Sequence, residues 1–200
     1  GTIIARMPRG GLYFDLVNHY LSDIEYDSSA LDRSMQIPVL TDKELNFIEA
    51  ECIDGRETGK ATLFAFGGNI FEAGQSDFGF ERFYLDLASE QEFLHHYFNK
   101  LTNAYIAQLD KLMERVGHYI DIIQFGDDLG TQNAPQISPA MYCEMIQPYH
   151  ARIYGYIRKN YPDTKVFLHC CGSIYQLIPH LIDAGIEILN PVQITAQGMN

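Results

Sequence analysis

Four short apolar runs, at residues 62–66, 120–125, 165–168 and 186–189, alternate with stretches of helical periodicity, and this alternation leaves few architectures open. Runs of this length are strands. The segments between them carry helix signals. Thr41-Asp-Lys-Glu44 is a capping box, with Leu40 placed to staple onto Leu45. Leu45, Ile48 and Cys52 then make an apolar face, and Gly55 marks its end. Ser89-Glu-Gln-Glu92 reads as a second capping box. It opens the longest periodic run of the chain, from Leu94 through Tyr97, Phe98, Leu101, Tyr105, Leu109 and Leu112 to Val116, closed by Gly117. Ser138-Pro139 supplies a capping hydroxyl and a proline at the first helical position. Tyr142, Met145, Ile146, Tyr149, Ile153 and Ile157 follow as a buried face, which leaves Cys143 and His150 off it, and Tyr161-Pro162 stops the helix. A last helix is expected from Ser173 to Ala184, ended by Gly185.

Strands that alternate with helices form parallel sheets, so the fold class is α/β: a (β/α) barrel or an open doubly wound sheet. No Gly-x-Gly-x-x-Gly follows a strand, which turns the choice against the dinucleotide-binding sheet. A complete barrel takes about 250 residues and eight strands. Four strands are about half of that. The expectation is a partial (β/α)8 TIM barrel, with residues 1–200 a fragment of a single barrel domain whose amino- and carboxyl-terminal parts are missing. A half-barrel leaves an unpaired edge and apolar helix faces, so residues 1–200 alone are expected to pair with another chain, a homo-oligomer included, to aggregate, or to be the ordered part of a longer polypeptide.

Two segments stand outside the alternation. Residues 1–40 are irregular, with a hairpin expected from strands at 2–5 and 12–14 around Pro8-Arg9-Gly10-Gly11. Residues 70–88, rich in Phe and Gly, read as a long connection with one short helix from Gly79 to Leu87, and so as a lid at a ligand-binding edge.

Polar residues collect where each strand ends. In parallel α/β folds the carboxyl ends of the strands are where ligands bind. The third strand ends in His169-Cys170-Cys171-Gly172. Residues two apart in an extended segment share a face, so His169 and Cys171 converge while Cys170 turns into the packing layer. Imidazole and thiolate are preferred zinc donors, yet two ligands do not complete a zinc site, and a buried Cys beside a hydrogen-bonded His is the plainer alternative. The second strand ends in Gly126-Asp127-Asp128. Two adjacent carboxylates are costly to hold together without a cation, a donor network or a raised pKa, and loop acids are otherwise solvated; spacing leaves both readings open.

Composition removes several function classes. The formal charge of −12 argues against a nucleic-acid surface and disfavours a highly anionic substrate. No apolar run approaches the roughly 20 residues of a membrane helix. Four irregularly spaced cysteines, two of them adjacent, are not a disulfide framework, so a reducing cytoplasm is the expected location.

Four groups of motifs stand out: Gly126-Asp-Asp-Leu-Gly-Thr-Gln132, Ile137-Ser-Pro139 with Pro148-Tyr149, Phe167-Leu-His-Cys-Cys-Gly-Ser-Ile174, and Asp183-Ala-Gly185 with Ile188-Leu-Asn-Pro-Val-Gln193. Together they resemble the uroporphyrinogen decarboxylase superfamily, which includes zinc-dependent methyltransferases that work with corrinoid proteins. The resemblance runs from about Gln75 to the end and implies a (β/α)8 barrel. In the methyltransferase branch zinc is held by a His-x-Cys pair and a distant Cys. His169 and Cys171 match that pair, and the third ligand would lie beyond Asn200. The implied reaction moves a methyl group between methylcobalamin on a partner corrinoid protein and a thiol or folate acceptor. Asp127 and Asp128 are then candidate catalytic acids, and Gln132, Asn190 and Gln193 candidate substrate-binding residues. The decarboxylase branch, which needs no metal and grips a porphyrinogen with an arginine-rich amino-terminal segment and an aspartate, is the alternative. A non-catalytic binding relative is a third.

Overall fold

The computed structural model describes residues 3–200. Its centre is a four-stranded parallel sheet in the order β3 (Leu63–Gly67), β4 (Ile122–Gly126), β5 (Lys165–His169) and β6 (Ile188–Asn190). Each strand follows its neighbour in sequence through a helical crossover, which is the arrangement of a barrel wall. β3 and β6 are edge strands, with no further partner among the described residues. The expected parallel α/β architecture is observed, and it is that of a partial TIM barrel.

The strands are short, so their alternation is easy to follow. Ile123 and Phe125 of β4 and Val166 and Leu168 of β5 are fully buried, whereas Ile122, Gln124, Phe167 and His169 are half-buried on the other face. Two long helices cover the buried face. The first, α5 (Gln91–Val116), buries Leu94, Tyr97, Phe98, Leu101, Leu109, Leu112, Met113 and Val116, as its periodicity predicts. The second, α7 (Gln147–Asn160), follows a short helix α6 (Pro139–Met141) and one π-helical turn at Tyr142–Ile146. Ser138 caps the start of this helical stretch by accepting the Met141 N–H at 3.1 Å, and Pro139 takes the first position. The last helix, α8 (Ile178–Ala184), is shorter than expected because a 3-10 turn at Tyr175–Leu177 precedes it. It ends at Gly185, whose φ of 116° only glycine adopts without strain.

The amino-terminal part differs more from expectation. The hairpin exists, but its strands are β1 (Ala5–Arg6) and β2 (Asp15–Leu16), so the return strand lies beyond the predicted 12–14. Thr2, in the predicted first strand, lies outside the described residues. Within residues 1–40, read as irregular, Ser28–Ser34 form a short helix α1, capped by Asp27, which accepts the N–H groups of Ser29 and Ala30. Helix α2 (Asp42–Glu57) carries the predicted Thr41–Glu44 capping box and runs through Gly55 to end at Thr58.

The largest correction concerns residues 70–78, which form a helix, α3 (Phe71–Phe78), where an open connection was expected; Gly79, at φ 84°, separates it from α4 (Phe80–Ser89), the short helix expected from Gly79 to Leu87. Phe71, Phe78 and Phe83 are buried, and their rings meet edge-on in one cluster with Tyr84, Tyr97 and Phe98. The predicted capping box at Ser89 does not form either. The Ser89 hydroxyl donates back to the Leu85 carbonyl, and α5 starts at Gln91 with no side-chain cap.

Candidate metal centre at the carboxyl end of the sheet

The alternation of β5 continues past its last residue. Cys170 is fully buried, and its Sγ accepts the Leu129 N–H at 3.3 Å. His169 and Cys171 face the open side, with Cys171 Sγ 3.3 Å from His169 Nε2. Sequence spacing predicts this split. The His169 ring is fixed from behind: its Nδ1 lies 2.9 Å from Asn190 Oδ1 on the paired residue of β6. An amide oxygen only accepts, so Nδ1 carries the proton and Nε2 presents its lone pair toward Cys171.

Alternation also separates the two adjacent aspartates. Positions 123, 125 and 127 point into the helix layer, and 122, 124, 126 and 128 toward the open face. Asp127 is accordingly buried, at 1 % exposure. Its Oδ2 accepts the N–H groups of Ile70 at 3.0 Å and Phe71 at 2.8 Å, and its Oδ1 that of Glu72 at 2.8 Å. These are orphan donors at the start of α3, which has no side-chain cap of its own. His150 Nε2 donates to the same carboxylate at 2.9 Å, and the other ring nitrogen lies 3.1 Å from the Tyr142 hydroxyl. A helix N-terminus and a buried imidazole therefore use up Asp127, which anchors α3 and does not line the site. His150, read from the sequence as lying off the buried face, is fully buried and completes this anchor.

Asp128 turns the other way. Its Oδ1 accepts the Cys171 N–H at 2.7 Å, and ligand atoms of Asp128, His169 and Cys171 all lie within 4.8 Å of one another. Two glycines permit this approach. A Cβ on Gly130 would overlap the Cys171 carbonyl, and one on Gly172, at φ 91°, would overlap the backbone of Gly130 and Thr131. The loops after β4 and β5 thus pack backbone against backbone. Gln136 holds the first of them from behind by donating to the Asp128 carbonyl at 2.7 Å.

A fourth polar group, Glu72 in the first turn of α3, lies against the Asp128 backbone N–H and the Asn69 side chain. Sequence reasoning missed it. Burial, then the charge of Asp127, pushes its carboxyl above the usual range. Burial also pushes the Cys171 thiol up, and the neighbouring Asp128 and Glu72 carboxylates push it further. The site holds carboxylates, a thiol and an imidazole, a donor set that suits a divalent borderline ion such as zinc.

The remaining expected site residues lie on the same rim. Gln193 accepts the Gly172 N–H at 2.9 Å and donates to Gln132 Oε1 at 3.0 Å, and Gln132 donates to the Thr195 carbonyl at 2.6 Å. Both amides are engaged in joining the three rim loops. Asn190 orients His169. Replacing Asn190 with Ala is expected to weaken metal binding by roughly 10–100-fold, the usual effect of losing a partner that orients a ligand histidine. Competition with a chromophoric chelator measures it, and unchanged affinity would remove that role.

A search of curated proteins finds no match to this chain. A family model, that for uroporphyrinogen decarboxylase (URO-D), matches residues 62–192, the span that runs from the strand before α3 to the rim loop after β6. That span contains every strand of the parallel sheet and all four groups of the candidate centre, and the chain belongs to the uroporphyrinogen decarboxylase family.

Proposed function

We propose that this chain carries the metal-binding part of a methyltransferase of the family, one that moves a methyl group between a corrinoid protein and a thiol or similar acceptor. The observation that carries the reading is the convergence of Asp128, His169 and Cys171, with the His169 ring held by Asn190 in the tautomer a metal requires. Those three residues would hold zinc, and a further ligand is expected from outside the chain. Zinc, when bound, supplies Lewis acidity that lowers the pKa of a coordinated thiol.

The chain's own residues have separable parts in this. His169 offers Nε2, and Asn190 prevents the ring from turning it away. Cys171 offers Sγ and gives up its proton on binding, since its thiol is held protonated by burial and by two acids. Asp128 holds the Cys171 backbone through Oδ1, and its carboxylate lies within reach of the same ion as His169 and Cys171. Methylcobalamin on the partner corrinoid protein would be presented above this rim.

Decarboxylation of a porphyrinogen is the second reading, favoured by the description of the matching family model. The two separate on metal dependence. The expected result is zinc bound to the protein, and transfer of methyl from methylcobalamin to a thiol that stops on chelation and returns with zinc. Carbon dioxide release from a porphyrinogen by metal-free protein, with no methyl transfer in its zinc-loaded form, would replace the first reading with the second. Among the described residues no helix is long and apolar enough to cross a membrane.

A further inference from the structure

The loop between β4 and α6 is gripped from two sides. On one side stand His169 and Cys171. On the other stand α3 and α4, and between them they hold both aspartates. The first turn of α3 takes the Asp127 carboxylate. Further along the same helix, Gln75 reaches Gln136 on the returning arm of the loop, and the Gln136 side chain donates to the Asp128 carbonyl at 2.7 Å. The Gln136 backbone closes the two arms together, its N–H donating to the Leu129 carbonyl at 2.7 Å. Asp128 is thus held by its backbone from behind, while its Oδ1 accepts the Cys171 N–H in front.

An amide side chain can sit either way round, and only one way serves Asp128. Here the choice is made by two donors. Gln136 Oε1 accepts from Gln75 Nε2 at 2.9 Å and from the Tyr84 hydroxyl. Gln75 Nε2 also donates to that hydroxyl, at 3.1 Å, so the tyrosine accepts one bond and passes one on. With its oxygen facing two donors, the Gln136 NH2 must face the Asp128 carbonyl. A flipped amide would set donor against donors and oxygen against oxygen. Gln75 is only 5 % exposed, so water does not readily replace these bonds. A network that merely joined α3 to α4 could close on itself. This one ends on the backbone of the single loop residue whose carboxylate converges with His169 and Cys171.

We infer that Gln136 is a positioning residue for the metal ligand Asp128, and that Gln75 and Tyr84 act through it by fixing its amide. The inference rests on the metal reading above and deepens it: the affinity of the centre is set in part from the helix pair behind the loop.

The test compares three substitutions by zinc affinity, from chelator competition, and by the denaturation midpoint of the metal-free protein. Gln136→Met keeps the length of the side chain and removes the donor. Tyr84→Phe removes only the hydroxyl. Tyr97→Phe is the control, since its hydroxyl donates to Asp77 at 2.7 Å in the same helix layer and does not touch the loop. Gln136→Met is expected to weaken zinc binding about tenfold, in the range for a lost orienting partner. Tyr84→Phe should weaken it about threefold, and Tyr97→Phe should lower the midpoint with the affinity unchanged. The double variant should bind zinc no more weakly than Gln136→Met alone. Unchanged affinity in Gln136→Met, or affinity that simply follows the midpoint in all three, overturns this inference alone. Additive losses in the double variant overturn the part given to Tyr84. Absence of zinc binding in the parent protein overturns the metal reading and this inference with it. If Gln136→Met does not fold, Tyr84→Phe against Tyr97→Phe decides.

Discussion

Replacing Asp127 with Ala is expected to destabilise the fold by about 3–5 kcal/mol, the largest effect of any single polar substitution in this chain. The change strips acceptors from three consecutive backbone N–H groups at the start of α3, two of them on fully buried residues, Ile70 and Phe71. Each unsatisfied buried donor costs about 1–3 kcal/mol. His150 loses its partner too, in a position with no access to water. Asp127→Asn should be milder, because the amide keeps one accepting oxygen while its NH2 group opposes the remaining donors. Urea denaturation measures both. An Asp127→Asn protein as stable as the parent would show that the carboxylate is not the anchor, and would return Asp127 to the list of catalytic candidates.

The second large effect separates two neighbours. Cys171→Ala should lower metal affinity by at least the roughly 10–100-fold that follows loss of a mere orienting partner, since it removes a donor outright. Cys170→Ala should keep the metal and instead cost about 1–3 kcal/mol of stability. Its side chain is fully buried, and its Sγ is the acceptor for the Leu129 N–H. Metal content and denaturation midpoint, measured on both variants, give opposite patterns if the centre is as described. Metal lost equally from both, or kept by both, would show that Cys171 is not a ligand.

These two pairs, Asp127 with Asp128 and Cys170 with Cys171, obey the same physical rule. Each follows a β-strand, and each splits because successive side chains of extended backbone point to opposite faces. For the cysteines the rule predicts from spacing the split that the structure shows. The two aspartates read in the sequence as one acidic feature, although Ile123 and Phe125 mark the odd positions of that strand as buried. The signal for Asp127 was present in the sequence and belonged to the same argument.

His150 is a related case. Its spacing to Ile146, Ile153 and Ile157 is that of the buried stripe of α7, so its burial could be anticipated, but its partner could not. Helix α3 lies further out of reach. Its start has no capping side chain within the local sequence, and Phe- and Gly-rich composition suggested a loop. The acceptor that caps it is 55 to 57 residues away. Glu72 was missed for that reason: with α3 read as a connection, nothing distinguished it from any surface acid.

The amino-acid sequence by itself determined the parallel strands, the long helices between them, the facing of His169 and Cys171, and the family. These depend on periodicity, caps and short motifs, all of which act within a few residues. Only the tertiary structure decided that Asp127 is an anchor, that residues 71–78 form a helix, and that Asp128 joins the His-x-Cys pair. Those outcomes rest on single hydrogen bonds and close glycine contacts between segments 40 to 60 residues apart, whose partners no local pattern specifies.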